Sequence, residues 1–135
     1  MSTGSGGYQG PVTLQLRLPG EPLSAREARR AITTWALTHG VGPEVDDLQL
    51  VTSELVANAA SHGSGPVTLE AEHTGTSIRL RVSDSGALPP QPRQPSDDDD
   101  SGRGLLIVAA LAHSWGSVIH ADSTEVWAEF LLTAP

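Results

Sequence analysis

Three short stretches of this sequence carry residue types that can do chemistry. Glu54 and Asn58 lie four apart in ELVANAASHG, residues 54–63. On a helix, that spacing puts them one above the other on one face. Leu48, Val51, Leu55 and Ala59 recur beside them at helical spacing and form an apolar stripe. A carboxylate can take a hydrogen bond or a proton from a hydroxyl, and an amide carbonyl is a hard, uncharged oxygen donor. Both are costly at the border of a buried stripe unless something uses them. The second stretch is Asp84-Ser85-Gly86 and the third Gly102-Arg103-Gly104, which opens onto the apolar run LLIV. Glycines let a backbone approach an anionic ligand closely, and a helix beginning after Gly104 would offer free N–H groups to it.

The elements that must position these stretches follow from periodicity. Val12, Leu14, Leu16 and Leu18 alternate with polar residues, which predicts a half-buried strand. Ser24 and Glu27 fit a capping box opening a helix to about His39, stopped by Gly40. After Gly42, Pro43 and the acidic residues Glu44, Asp46 and Asp47 suit the first turn of a second helix, which carries Glu54 and Asn58 and ends at Gly63. Val67, Leu69 and Ala71, then Ile78, Leu80 and Val82, predict two strands. Their polar faces, Glu70 and Glu72 against Arg79 and Arg81, are opposite in charge, so the two strands can pair. The period of two carries Asp84 onto the inward side with Val82. A long proline-rich segment with the run Asp97–Asp100 follows, to about Arg103; so long a loop in a small domain is usually functional or disordered. A helix over about Leu105 to His113, a strand over Trp115 to Ala121, a turn at Asp122–Thr124 and a strand through Val126, Ala128, Phe130 and Leu132 complete the chain. The order β-α-α-β-β-loop-α-β-β indicates an α+β two-layer sandwich with three helices on one face of a mostly antiparallel mixed sheet.

Whole-chain properties narrow the function. The 135 residues predict a single domain over 11–133 behind a Gly/Ser-rich, disordered tail at 1–10. With no cysteine, disulfides, thiolate metal sites and cysteine nucleophiles are excluded. All eight basic residues are arginine, and without lysine a P-loop is excluded. The net charge of −8 argues against binding nucleic acid through its phosphates. No apolar run reaches membrane-spanning length and the first residues lack a signal pattern, so a cytoplasmic protein with no membrane partner is expected.

Taken together, ELVANAASHG, DSG, GRGLLIV and the late VWAEF resemble the GHKL superfamily of ATPases and kinases, over about Pro11 to Leu132. More narrowly the chain is similar to the RsbW-like anti-sigma factor serine/threonine kinases. The resemblance implies a Bergerat-type ATP-binding fold with an ATP lid at about 85–103, ATP and Mg²⁺ as cofactors, and assigned residues. Glu54 is then the catalytic base and Asn58 the magnesium ligand. Asp84 takes the adenine amino group, with Gly86 beside the base. Gly102, Arg103, Gly104 and Leu105 lie along the phosphates. The implied partners are an anti-anti-sigma protein with a STAS-type domain, a sigma factor and a second copy of the chain.

Each residue also has a plainer reading. Glu54 and Asn58 alone would be a solvated helix pair, Asp84 and Gly86 a hairpin turn, and the later glycines an ordinary helix start. Arg103 is either a phosphate contact or a solvated lid residue. His62 reads as capping or packing; His39, His73, His113 and His120 show no ligand spacing; Trp35, Trp115 and Trp127 read as core or sheet-face packing. Two features depart from the resemblance. The acidic run Asp97–Asp100 would repel a triphosphate. Ser123-Thr124-Glu125 stands where relatives often have a Gly-Lys pair ahead of the Val-Trp. Both favour an alternative: a non-catalytic protein-interaction switch on the same fold, with or without nucleotide.

Overall fold

The computed structural model describes residues 12–62, 65–84 and 99–133. The expected tail at 1–10, Gly63, Gly86 and most of the expected lid lie outside the described residues. The element order is β1 (Val12–Leu18), α1 (Leu23–Thr38), α2 (Val45–His62), β2 (Val67–His73), β3 (Ser77–Asp84), α3 (Asp99–Leu111), β4 (Ser114–Ile119) and β5 (Thr124–Leu131). The strands form one sheet in the order β1-β2-β3-β5-β4. The α+β two-layer expectation is met. Every pairing among the described residues is antiparallel, so the mixed component of the expected sheet is not seen.

Alternation decides the two faces of the sheet. Val67, Leu69, Ala71, Ile78, Leu80, Val82, Ala128 and Phe130 are buried beneath the helices. Ile32, Trp35 and Ala36 of α1, Leu48, Val51, Leu55 and Val56 of α2, and Val108 of α3 close the core from above. α2 is the central helix: it packs on α1, on α3 and on strands β2 and β3. A fully buried side chain of this kind contributes roughly 1.5–3 kcal/mol, so the helix carrying Glu54 is held by its opposite face. On the open face the expected charge pairing is present. Glu70 lies opposite Arg81 and Glu72 opposite Arg79. Arg81 Nε reaches Glu70 Oε1 at 3.5 Å, and Gln15 Nε2 donates to Glu70 Oε2 at 3.1 Å. Such exposed pairs set register more than stability.

Three local readings are corrected. Ser24 does not cap α1 in a capping box: the helix starts at Leu23, and the buried Ser24 Oγ accepts instead from the N–H groups of Gly20 and Glu21, both at 3.2 Å. That bond folds the β1–α1 turn back against the α2–β2 link. A Cβ on Gly20, at φ +84°, would sit 2.2 Å from the Gly65 carbonyl oxygen, so only glycine fits. Second, α3 starts at Asp99 rather than Leu105. Third, β5 starts at Thr124 rather than after it, and β4 runs over Ser114–Ile119. The tryptophans pack as expected only in part. Trp35 is buried between the rings of His39 and His73, with centroids at 5.7 and 6.3 Å, and His39 Nδ1–H donates to its carbonyl at 2.8 Å. Trp127 lies on the open face under the Arg79 guanidinium, 4.3 Å from the ring centroid. Trp115 remains exposed on edge strand β4.

Candidate functional site

Glu54 and Asn58 are half-buried on α2, one turn apart. Their neighbours Thr52, Leu55 and Val56 are fully buried and point into the core. The polar pair therefore borders the packed face, as its spacing requires. Ser61 Oγ donates to the Asn58 carbonyl at 3.0 Å, tightening the last turn of the helix. The fully buried Thr52 Oγ1, two residues before Glu54, has no hydrogen-bond partner among the described residues.

Asp84 is the last residue of β3. Its cross-strand partners are Val67 and Thr124, at 0% and 8% exposure. Residues directly opposite in an antiparallel ladder share a face, so Asp84 is on the inward side, half-buried at the strand end. Thr124 was missed by sequence reading, which spent it on a turn. The period of two through Val126, Ala128 and Phe130, extended one step back, was the signal that would have found it. It sets Thr124 directly opposite Asp84 in the β3–β5 ladder.

Chain direction gathers the three stretches at one end of the molecule. α2 ends at His62, and only four residues separate it from Val67, the partner of Asp84. Five Cα–Cα steps span at most about 18 Å, so the Asn58 end of α2 lies near the Asp84 end of the sheet. α3 feeds β4 through a two-residue turn, and β4 then runs until Ile119 pairs with Thr124. The C-terminus of α3 is thus at the far end of the sheet. Its 13 residues, about 20 Å of helix, bring Asp99–Gly104 back to the Asp84 end. Contact of α2 with both β3 and α3 agrees.

Gly102, Arg103 and Gly104 fall inside α3, not ahead of it. The free N–H groups at its start therefore belong to the first four residues, Asp99 to Gly102, rather than to residues after Gly104. Leu105 is half-buried one position beyond Gly104. A depression of about 180 Å³ that shares Asp84 with these groups is lined by Arg17, Pro66, Thr68, Ser83, Asp84, Asp122 and Ser123. Its lining includes neither Glu54 nor Asn58, so it is not the expected nucleotide pocket as a whole.

The donor set fits a magnesium nucleotide. No group of three or more His, Asp or Glu residues able to hold a bare metal occurs among the described residues. One neutral amide oxygen is nonetheless what a cation carried on phosphates needs from a protein, since magnesium keeps water and phosphate oxygens as its main ligands. An inward carboxylate at a sheet end suits the amino group of a flat base.

A two-layer sandwich with these groups converging at one end is a GHKL-type ATP-binding fold. The chain belongs to the histidine kinase-like ATPase domain family, whose profile matches residues 18–130. Among solved structures it is similar to the RsbU and RsbW domains of a Mycobacterium tuberculosis protein, with a TM-score of 0.71 and 22% identity. That match covers 92% of this chain and 33% of the other, so the chain spans about a third of its length. No curated protein matches the chain. No helix among the described residues is long and apolar enough to cross a membrane.

Proposed function

We infer that the chain is an ATP- and Mg²⁺-dependent protein serine/threonine kinase of the partner-switching kind. Its substrate is a small anti-anti-sigma protein with a STAS-type domain, and it acts on transcription by binding that protein or a sigma factor. The observation that supports this reading best is the convergence of the Glu54–Asn58 helix turn, the Asp84–Thr124 pair and the first turns of α3 at one end of the sheet.

When bound, magnesium ATP supplies the transferable phosphoryl group. The chain's own residues do the rest by position and charge. Asn58 holds the cation through its amide oxygen, adding no charge next to the phosphates. Glu54, one turn earlier, accepts the hydrogen bond of the partner's serine or threonine hydroxyl and takes its proton. Asp84 accepts from the adenine amino group, and Thr124 fixes the edge of the base beside it. The Gly102–Gly104 turn, with Arg103 and Leu105, runs along the phosphates. Calorimetry with ATP, with and without Mg²⁺, tests the first half: no binding at millimolar ATP removes the reading. Transfer from labelled ATP tests the second. Label should appear on a STAS-type partner and vanish in Glu54→Ala, with nucleotide binding retained.

One observation favours the non-catalytic switch as second reading. Asp99 and Asp100 occupy the first turn of α3. That is where a helix dipole stabilises anions, and the sequence puts two acidic residues at those positions. ATP binding without transfer to any candidate partner would decide for the switch.

A further inference from the structure

One face of α1 belongs to the core and the other is bare. Ser24, Ala28, Ile32, Trp35 and Ala36 are buried. On the opposite side Leu23, Arg26, Arg30, Thr33 and Leu37 recur at spacings of three and four, which lines them up along the helix. Leu23 is 63% exposed and Leu37 59%. Arg26 and Arg30 between them are exposed, as is Arg29 at the flank. Thr33 spends its hydroxyl on the Arg29 carbonyl at 2.7 Å, so the polar groups this seam offers are guanidinium groups. The result is a strip about 21 Å long with a leucine at each end and two arginines between.

The fold does not use these cations. Three of the chain's eight arginines lie on α1, against one glutamate. Arg81 pairs with Glu70, but Arg26, Arg29 and Arg30 make no ion pair with any carboxylate among the described residues. Glu27 stands exposed on the same helix without reaching them. Arg26 is three and four residues from Arg29 and Arg30, so the like charges repel and weaken the helix slightly. On a chain of net charge −8, this helix is a local reversal of the field, and it draws negative surfaces to itself.

We propose that the outer face of α1 docks an acidic amphipathic helix of another protein. Carboxylates of that helix meet Arg26 and Arg30, and its apolar residues cover Leu23 and Leu37. Charge complementarity selects this occupant. A second copy laid α1 against α1 sets arginine against arginine. Outside the described residues the chain has only two acidic side chains, Asp97 and Asp98. Both are within two residues of Asp99, the first residue of α3, and α3 packs on α2, which packs on α1. Two residues reach about 7 Å, whereas two helix-packing distances come to about 16–20 Å, so neither aspartate reaches the seam. A membrane, as an extended anionic surface, also meets the chain's excess carboxylates, while a single helix covers the seam alone. The surface needs no nucleotide and does not rest on the kinase reading.

The probe is a labelled, alanine-rich helical peptide of about 20 residues. It carries two leucines two heptads apart and two glutamates one turn apart between them. Fluorescence anisotropy with the full chain should show binding in the micromolar range, as for a small interface, and affinity should fall as salt rises. The same peptide with glutamine in place of glutamate should bind at least about tenfold more weakly. The double variant Arg26→Glu/Arg30→Glu, its fold checked by a thermal melt, should lose the glutamate peptide and bind a lysine version instead. Equal binding of the glutamate and glutamine peptides overturns the proposal, and that arm needs no variant. A double variant that still prefers the glutamate peptide overturns it too. Tighter binding to phosphatidylserine vesicles than to the peptide gives the face to a membrane. Self-association of the wild type that the double variant abolishes gives it to a second copy.

Discussion

The Asp84–Thr124 pair is the most informative point at residue scale. A lone carboxylate at a strand end is a common turn feature. A carboxylate whose two cross-strand partners are both buried is held facing inward. A hydroxyl opposite it adds a second group able to read the edge of a base. Replacing Thr124 with Val keeps shape and burial and removes only that hydroxyl. ATP affinity should fall about five- to tenfold, the equivalent of one hydrogen bond of ~1 kcal/mol, and the melting temperature should hardly move. Titration of ATP into Thr124→Val checks this; unchanged affinity would remove Thr124 from the site.

At the scale of elements, the N-terminal turns of α2 and α3 separate support from chemistry. α2 is anchored at its start by the C-terminal segment. Thr133 N–H and Oγ1–H both donate to Glu44 Oε2, at 2.8 and 2.6 Å. The Thr133 hydroxyl, then its backbone N–H, hold the Glu44 carboxyl below its ordinary value of 4.5. A lowered carboxyl pKa stabilises the fold above the unfolded value and loses that effect as pH falls through the folded one. Glu44→Gln should therefore lower stability at neutral pH by about half a kcal/mol, since the pair is largely solvated. The difference from the wild type should close in denaturant melts below about pH 4. A constant difference across that range would mean that the carboxylate charge plays no part. At the start of α3, replacing Asp99 and Asp100 together with Ser removes the competing anions. ATP should then bind several-fold tighter, on the order of 0.5 kcal/mol per charge. Looser binding in the same titration would show that the carboxylates help the site rather than oppose it.

These elements also show what was legible in the sequence. The strands were, because apolar and polar residues alternate cleanly against one buried face, and that alternation placed Asp84 inward. The half-buried place of Glu54 and Asn58 on α2 was legible because helical spacing and a core stripe coincide there. The start of α3 was not. A run of aspartates followed by glycine reads as loop by propensity, yet acidic residues are favoured in a first helical turn, and the packing of Val108 fixes the rest of the helix. Thr124 was lost because Asp122-Ser123 is a strong turn signal and the boundary fell two residues too late. The exposed edge at β4 was invisible, since strand order depends on contacts distant in sequence.

On the scale of the whole molecule, charge governs approach to the site. Eight net negative charges meet a nucleotide that is itself strongly negative. Over a molecule of about 14 Å radius of gyration, that repulsion acts at distances comparable to the Debye length, ~30 Å at 0.01 M salt and ~8 Å at 0.15 M. Added salt therefore screens an unfavourable interaction, and ATP affinity should rise with ionic strength, by about tenfold between those two concentrations. Most anion sites behave oppositely, because local cations dominate them. Without lysine, and with Arg103 the one arginine in the Gly102–Leu105 stretch proposed to run along the phosphates, this chain has little local charge to reverse the sign. Magnesium ATP carries about half the charge of free ATP, so its affinity should rise about half as steeply on a logarithmic scale. Titrations across a salt series, run with and without Mg²⁺, measure both slopes. Affinity that falls with salt would place a local arginine contact, rather than the field of the whole molecule, in control of nucleotide binding.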